Sequence, residues 1–500
     1  MTSPLKIVPL DVGWRTCETS PECVGIAREP YGRCLAHLAP AELDGVLRGL
    51  IPGQGLDVRG TTLDEDLLTR ILDGVGRRLG RARFDRALFT GPARFGEVVF
   101  AGDATFDHAR FDRLASFFDT RFTRNVSFRE VRFSREFSMH GARVRGHGAF
   151  DHVRVGSDAL FGDARFGRDA SFRGAEFHGF AAFDGATFDG DAIFRGARFR
   201  RALSFRAAAC AGTAGFEGVR FHSTAYLGPM RVGRRLSLPE VRASAALHLD
   251  TGGCRVDLRA AGLAGRFTAR LSDADVDLRD ATLAGPADLT RHMGRMRVVS
   301  LDRLDAGALT LTGADLRACA LGRLRNPEGL RLSDCLFART PAGVRLEPGW
   351  PPVRWWTRRR VLADEHAWRG WSPRAEQPLD PGRLATLYER LRPAVDDERT
   401  SADFAFGAME MRRMGSPPGR VKVALSLYWL ACGYGLRLGR TLGWMALVAA
   451  VTAVVLFWSA AAHTARRPAG HPQPTPAAHR STVPVPVPVP VVHRLTTGAG

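Results

Sequence analysis

The chain has 500 residues, of which 45% are hydrophobic, so it is long enough for several folded units with substantial cores and is not a disordered polypeptide. Its formal net charge of +19 indicates attraction to anionic partners, either acidic lipid or nucleic acid, without choosing between them. Lysine occurs only at Lys6 and Lys422, and neither fits a Gly-x4-Gly-Lys-Ser/Thr loop, which excludes that class of phosphate-binding site.

Residues 1–38 carry three cysteines and a histidine with the spacing Cys17-x5-Cys23-x10-Cys34-x2-His37. Three thiolates and one imidazole suit tetrahedral zinc, and four protein ligands leave no open position for catalysis. The segment resembles small zinc-binding modules that precede other bacterial repeat domains, although Cys-x5-Cys is looser than the usual knuckle. The hypothesis is one structural zinc ion. The alternative is a small apolar cap in which the cysteines carry no ligand.

The other five cysteines are scattered, so the eight together do not form a disulfide framework. Residues 1–14 contain no apolar run of signal-peptide length. We therefore expect the body of the protein to remain in the reducing cytoplasm.

Residues 39–80 predict a helical cap. Pro40–Leu50 and Leu63–Leu72 are typical of short amphipathic helices, the second capped by Thr61 or Thr62. Such helices would cover the open end of a following β structure and prevent edge pairing.

From Arg81 onward, large apolar residues recur at steps that alternate between five and six. The steps define 26 positions, and 22 of them are Phe, so the period is a property of the fold. An α-helix cannot place residues with this spacing on one face, because five steps of 100° turn a side chain to the opposite side. A chain that turns a corner every five or six residues would send all these side chains to one axis, as in a solenoid. The positions are Phe84, Phe89, Phe95, Phe100, Phe106, Phe111, Phe117, Phe122, Phe128, Phe133, Met139, Val144, Phe150, Val155, Phe161, Phe166, Phe172, Phe177, Phe183, Phe188, Phe194, Phe199, Phe205, Cys210, Phe216 and Phe221.

A small residue precedes most of these positions by two, as in Ala104-Thr-Phe106. This Ala-x-Phe-x-x pattern resembles the pentapeptide-repeat family. The resemblance implies a mainly β protein, a right-handed quadrilateral β-helix with the Phe and the small residue inside. The sixth residue in alternate units predicts a bulged corner and about 22 residues per coil. The pattern is strict to about residue 243 and continues, degenerate and Leu-centred, to about residue 345.

Residues 346–420 predict a helical linker with two helices. The first begins at about Pro381, and the second runs from about Ser401 to Met414 with Thr400 and Asp403 spaced as a capping box. The segment resembles the helical connection between pentapeptide repeats and membrane helices in some bacterial membrane proteins. A helical hairpin that serves only as a spacer explains the same residues.

Residues 421–441 predict an interfacial helix, and residues 442–462, uncharged throughout, predict one transmembrane helix. Basic residues are more frequent before the span than after it, so the repeat domain is expected on the cytoplasmic side of the cell membrane. Residues 463–500 form a Pro-rich tail, expected to be disordered, that serves as a spacer or as a ligand for another protein.

These features favour a membrane-anchored, non-enzymatic scaffold for protein–protein interaction, whose partners are the lipid bilayer and an unidentified protein. No catalytic residue and no organic cofactor is predicted, because no hydrolase or metalloprotease motif occurs. Oligomeric state is left open.

Two alternatives remain. Some pentapeptide-repeat proteins mimic DNA and modulate topoisomerases, which needs an acidic surface. Residues 81–221 contain 23 arginines against 17 acids, interspersed in pairs such as Arg83 with Asp85, so nucleic acid is not the expected partner either. The other alternative is an accessory subunit or relative of a bacterial membrane channel. Cys432-Gly-Tyr-Gly435 itself lacks the context of a potassium-channel filter, since no membrane helix precedes it.

Overall fold

A computed structural model of the protein describes residues 12–341, 343–346, 353–356, 358–371, 379–436 and 438–464. The chain divides into two compact units, Met1–Leu436 and Arg437–Gly500. The predicted Pro-rich tail lies outside the described residues from residue 465 onward.

The main body of the first unit is a parallel β-solenoid of about 13 turns. Most of its strands are two residues long, because each small-x-Phe triplet places its first and third residues inside and the chain then turns. Up to residue 221 each full coil has four faces in chain order. The strands of the first face are Leu56–Asp57, Ala82–Arg83, Ala104–Thr105, Val126–Ser127, Gly148–Ala149, Ala170–Ser171, Ala192–Ile193, Thr213–Gly215, Arg235–Ser237, Arg255–Asp257, Ala274–Asp277, Met296–Ser300 and Ala314–Asp315. Those of the second face are Thr62–Leu63, Leu88–Phe89, Arg110–Phe111, Arg132–Phe133, Arg154–Val155, Glu176–Phe177, Arg198–Phe199, Arg220–Phe221, Arg242–Ala243, Gly262–Leu263 and Thr282–Leu283.

The third and fourth faces are separate in the four-sided part. The strands of the third face are Ala93–Arg94, Ala115–Ser116, Phe137–Ser138, Ala159–Leu160, Ala181–Ala182 and Leu203–Ser204. Those of the fourth face are Arg78–Leu79, Val99–Phe100, Arg121–Phe122, Arg143–Val144, Arg165–Phe166, Thr187–Phe188 and Ala209–Cys210.

The register between coils confirms the predicted repeat length. Ala104 pairs with Val126, and Arg132 pairs with Arg154, each 22 residues on. The core is as predicted, since all 26 positions of the five-and-six series are at most 3% exposed. Where successive coils both carry Phe at an inward position, the two rings stack; the ring centroids of Phe84 and Phe106, for example, are 4.7 Å apart.

Carboxylates at the corners clamp successive coils together. Asp103 accepts a hydrogen bond from the backbone N–H of Asn125, and Asp169 accepts one from that of Asp191. Asp107 accepts from the Arg129 N–H as well as from the hydroxyl of Ser127. These bonds satisfy corner N–H groups that have no strand partner.

From Ala225 the solenoid departs from the predicted four-sided form. The third and fourth faces merge into single longer strands, because inward residues now alternate without a corner, as in Leu247, Leu249 and Thr251. Several of these coils shorten to 20 residues; Arg235 pairs with Arg255. The merged strands are Ala225–Val232, Leu247–Gly252, Phe267–Ser272, Ala287–Arg291, Leu309–Thr312 and Arg331–Ser333.

The solenoid begins at Leu56, which corrects the predicted boundary at residue 81. Helix α1 (Pro40–Arg48) precedes it, and α2 (Glu65–Gly74) replaces the third-face strand of the first coil. This inserted helix hides the five-and-six spacing. The N-cap of α2 is Asp64, whose side chain accepts a hydrogen bond from the Leu67 N–H. The predicted cap at Thr61 or Thr62 was therefore wrong.

The solenoid is followed by two antiparallel strand pairs and four further helices. The pairs join Ala338–Arg339 to Arg360–Val361 and Gly343–Leu346 to Val353–Trp356. The helices are α3 (Ala363–Trp368), α4 (Pro381–Leu391), α5 (Glu398–Gly415) and α6 (Arg420–Cys432). Short 3-10 helices occur at Leu35–His37, Pro327–Gly329 and Arg392–Ala394.

Helix α4 begins at Pro381 as predicted, with Asp380 as N-cap. The capping box predicted for α5 was wrong. Its N-cap is Asp397, which accepts from the N–H groups of Arg399 and Thr400, so Thr400 lies inside the helix.

The second unit contains α7 (Leu438–Thr464). Thr441–Ala460 is long and apolar enough to cross a membrane, by length and composition, and its residues are exposed. It overlaps the predicted span at 442–462.

Candidate functional site

The four predicted ligands converge at one point. The Nδ1 atom of His37 lies 3.4 Å from the Sγ atom of Cys17 and 3.5 Å from those of Cys23 and Cys34. The Sγ atoms of Cys23 and Cys34 are 3.8 Å apart. All four ligand atoms lie within 4.8 Å of one another, close enough to hold a metal ion.

The local backbone explains the convergence. The N–H of Cys17 donates to the carbonyl of Gly25, which folds the segment into a hairpin-like loop. Gly25 is required there, since a Cβ atom would lie 2.8 Å from the Cβ of Cys34. The 3-10 helix Leu35–His37, which follows Cys34, then brings the His37 ring back toward Cys34.

Four of the six distances between the ligand atoms fit a tetrahedral ion. Bonds of about 2.3 Å to sulfur and about 2.05 Å to nitrogen place two sulfurs about 3.8 Å apart and a sulfur and nitrogen about 3.5 Å apart. The Cys23–Cys34 distance of 3.8 Å and the sulfur–nitrogen distances of 3.4 to 3.5 Å match these values. The donor set therefore fits zinc.

The thiol ionisation supports the same arrangement. Burial raises the pKa of Cys17, but hydrogen bonds, led by that with Thr19, outweigh it and lower this pKa to about 6. Burial and the neighbouring thiols of Cys23 and Cys17 raise the pKa of Cys34 to about 12. Repulsion from neighbouring thiolates thus opposes ionisation of Cys34, and a bound cation would offset it.

The cluster is part of the cap on the first coil. The N–H of Ile26 donates to the carbonyl of Arg59, and the guanidinium of Arg59 lies over the ring of Trp14. Gly60 packs so closely against Val24 that a Cβ atom on residue 60 would lie 2.2 Å from the carbonyl oxygen of Val24. The module therefore covers the solenoid end from which the repeat starts.

A cleft of about 670 Å³ at the other end was not predicted. It lies between the last coil and the N-terminus of α5, with Arg317, Cys335, Arg360, Asp397 and Arg399 among its lining residues. These residues are spread over more than 80 positions of sequence, so no local motif could indicate them.

The helical linker encloses a separate group of ionic side chains. Glu365 is fully buried and accepts hydrogen bonds from Arg359, Arg369 and the Tyr388 hydroxyl. Burial raises the pKa of Glu365, but the two guanidinium groups outweigh it and lower this pKa. The arrangement ties α3 to α4 and is a structural feature.

Cys432-Gly-Tyr-Gly435 forms the turn that ends α6. Gly433 and Tyr434 have left-handed backbone conformations, and the Tyr434 ring packs on Phe406 of α5. The preceding helix buries none of its residues, and Val421, Val423 and Leu427 are exposed.

Stacked parallel strands, an axis filled with stacked aromatics and corners clamped by carboxylates define a β-solenoid whose residues inside the axis are structural. The four-sided part of this solenoid carries pentapeptide repeats. Residues 78–121, 150–198 and 183–229 match the family model described as pentapeptide repeats (9 copies). The unmatched stretch between the first two matches, 122–149, contains Phe137 in a small-residue position and Met139 in the next Phe position. Neither a curated protein nor a solved structure matches the chain significantly.

Proposed function

We propose that the protein is a membrane-anchored, non-enzymatic scaffold that presents the outer faces of its solenoid to another protein. The observation that carries this proposal is the filled axis. Every position of the five-and-six series is buried against its neighbours, so what the solenoid offers a partner is its outer surface. The match to pentapeptide repeats agrees with a structural or interaction role.

The anchor in this proposal is α7, through its exposed apolar residues 441–460. The exposed apolar residues of α6 suit a membrane interface, and Arg420 and Lys422 stand at the start of this helix. The solenoid faces the cytoplasm, and confinement to the membrane raises its effective concentration toward a membrane partner.

The proposed role of Cys17, Cys23, Cys34 and His37 is to bind one structural zinc ion. The ion would neutralise the cluster and fix the cap over the first coil. With four protein ligands it would have no position free for a substrate.

The anchor is tested by alkaline extraction of membranes that contain the full chain. Leu447→Arg, Val451→Arg and Val455→Arg together should release the protein into the soluble fraction, since each charge costs about 2.5 to 3.5 kcal/mol in a bilayer core. Three Arg substitutions at exposed solenoid residues Ser134, His178 and His222 serve as the control and should leave it membrane-bound. Retention of the first variant would contradict the anchor.

The scaffold role is tested by affinity purification of the full chain from detergent-solubilised membranes. Co-purification of a defined protein that is lost after charge reversal on the solenoid faces supports it. Recovery of a topoisomerase would favour the nucleic-acid modulator, and recovery of channel subunits would favour the accessory role. Turnover of a small molecule by the purified chain would contradict the scaffold.

A further inference from the structure

One face of the four-sided solenoid carries a row of arginines at its outward strand position. On the second face these residues pair directly from coil to coil, and Glu176 alone interrupts them. At about 4.8 Å per coil, seven successive coils give a row about 29 Å long. The arginine row, as we name it, consists of Arg110, Arg132, Arg154, Arg198, Arg220 and Arg242.

The faces on either side of it differ in charge. At the equivalent outward position the first face has Thr105, Ser127, Ala149, Ser171 and Ile193. The third face has Ser116, Ser138, Leu160, Ala182 and Ser204. These residues are neutral, so the positive charge of the strands is concentrated on alternate faces.

The acidic residues do not neutralise the row, because many of them are engaged at the corners. Asp107 and Asp151 each bind a hydroxyl and a backbone N–H of the next coil, at the junction of the first and second faces. Asp158 and Asp169 bind backbone N–H groups of the next coil in the same way. A carboxylate held by such bonds cannot swing over to a guanidinium without losing them.

Three arginines of the row pair with a carboxylate and three do not. Arg110 contacts Asp112 at 2.6 Å, and Arg154 and Arg198 share Glu176 at 3.8 and 2.7 Å. Within the part of the chain that the structure describes, Arg132, Arg220 and Arg242 have no carboxylate within 4.0 Å, and all three are exposed. Six arginines thus face two carboxylates.

We propose that the arginine row is a docking surface for a planar layer of anionic phosphate headgroups, that is, an acidic lipid membrane. The inference rests on the proposed membrane anchoring, which keeps such a layer near the solenoid. A flat β face aligned along its axis can bring all six guanidinium groups to a plane at once, and guanidinium is suited to phosphate oxygens. The phosphate strands of a nucleic-acid duplex wind around its axis, so a straight row of arginines meets only a few of the phosphates. Nucleic acid therefore fits the row less well.

The opposite face provides a built-in comparison. The fourth face carries exposed Arg121, Arg143 and Arg165 in three successive coils. A planar layer can contact only one of two opposite faces, whereas a flexible polyanion can contact both. The second face is the one we assign to lipid, because its row is twice as long.

The test uses the full chain in lipid nanodiscs, with arginine-selective labelling by phenylglyoxal and mass spectrometry of each site. In phosphatidylglycerol discs the labelling rates of Arg132, Arg220 and Arg242 should fall by about threefold or more relative to phosphatidylcholine discs. About 0.5 M salt should restore them, because it screens the contact. The rates of Arg121, Arg143 and Arg165 should change by less than about 1.5-fold, since the plane does not reach them.

Charge-reversal variants make the test specific. Arg132→Glu, Arg154→Glu and Arg220→Glu together should abolish the protection of Arg198 and Arg242 by anionic lipid. The matched control changes three exposed arginines at the junction of the fourth and first faces, Arg124→Glu, Arg145→Glu and Arg168→Glu, and should keep that protection.

Equal rates in both kinds of disc would overturn the inference, and so would equal protection of the second and fourth faces. Protection by added duplex DNA or polyglutamate in phosphatidylcholine discs, without protection by anionic lipid, would assign the row to another partner and also overturn it. Failure of the chain to enter discs would instead refute the anchoring in the proposed function, and the lipid inference with it.

Discussion

At the scale of single residues, the stacked phenylalanines determine where the chain can turn. Phe128 is fully buried, and its ring lies 4.7 Å from that of Phe106 and 5.2 Å from that of Phe117. Where Phe137 occupies a small-residue position, Met139 takes the next Phe position, and Phe137 stacks on Phe133 at 4.0 Å. The core therefore tolerates an exchange of volumes between adjacent inward positions.

Phe128→Ala should destabilise the solenoid by about 3 to 5 kcal/mol, because it removes a buried ring and leaves a cavity between two others. Phe118, 45% exposed, is the matched control, and its replacement by Ala should cost less than about 1 kcal/mol. Thermal unfolding of both variants measures the difference. Equal melting temperatures would contradict the stacked core.

Cys34→Ser should abolish zinc binding, because it removes one of four converging ligands. Metal analysis of the purified chain should then give no zinc, against one ion per chain for the unaltered protein. Cys432→Ser, in α6 and outside the cluster, should retain the ion. Retention by Cys34→Ser would contradict the site.

The lowered pKa of Asp315 should make the stability of the fold sensitive to acid. A hydrogen bond from Arg317 and the charge of Arg295 lower the pKa of this buried carboxylate to about 2. A carboxylate whose pKa is lower in the folded state stabilises the fold above about pH 4, and this stabilisation is lost as the pH falls toward 2. Asp315→Asn should therefore reduce the loss of stability between about pH 4 and 2, by up to about 2 kcal/mol. Urea unfolding at several pH values measures the difference, with Asp288→Asn, whose side chain is 43% exposed, as the control. An unchanged dependence of stability on pH below about pH 4 would contradict the assignment.

At the scale of elements, helix ends were predictable only in part. Pro381 after Asp380 predicted the start of α4 because both signals are adjacent in sequence. For α2 and α5 the sequence predicted an N-terminal threonine, but an aspartate provides the N-cap; Asp64 follows the predicted threonines, and Asp397 precedes Thr400 by three residues. Strand pairing of Thr62 and the bonds of Asp403 to Arg360 explain why those residues serve elsewhere.

Glu365→Gln should loosen the helical linker. The change removes the buried negative charge that Arg359 and Arg369 both contact, while Glu410 still lies 3.7 Å from Arg369. We expect a cost of about 3 to 5 kcal/mol. Glu389→Gln breaks a pair with Arg412 whose side chains are 42% and 54% exposed, and should cost less than about 1 kcal/mol.

Hydrogen exchange of α4 and α5 distinguishes the two variants, because local opening should increase only in the first. The solenoid strands serve as the internal reference. Equal exchange in Glu365→Gln and Glu389→Gln would show that the buried carboxylate does not hold the linker together.

At the scale of the whole molecule, the coil is the unit of construction. Deleting residues 151–172 removes one 22-residue coil and joins Phe150 to Arg173, so every inward position stays in register. We expect this variant to fold with a cooperative thermal transition. Deleting residues 153–172 leaves two extra residues in one coil and should lower the melting temperature sharply, because the inward positions shift.

Circular dichroism during heating compares the two deletions. The variant that lacks 22 residues should have the higher melting temperature, although it has lost more residues than the variant that lacks 20. If only the number of lost contacts mattered, the order would be the reverse. The opposite order would contradict a 22-residue repeat as the structural unit.

The sequence by itself determined the inward pattern, the family, the ligand residues of the candidate metal site and the apolar span. Each depends on residues close together or at a fixed period, so local chemistry is enough to indicate it. The start of the solenoid at Leu56 and the merging of two faces after Ala225 needed the tertiary structure, since an inserted helix and lost corners interrupt the period.

The distribution of charge was also decided only by the tertiary structure. Along the chain, arginines and acids alternate and indicate an evenly solvated surface. In the coil, residues 22 apart become neighbours, so the arginines of one face align while the aspartates are held at corners by backbone N–H groups. The physical reason is that the outer surface of a solenoid is ordered by the coil, and not by adjacency in sequence.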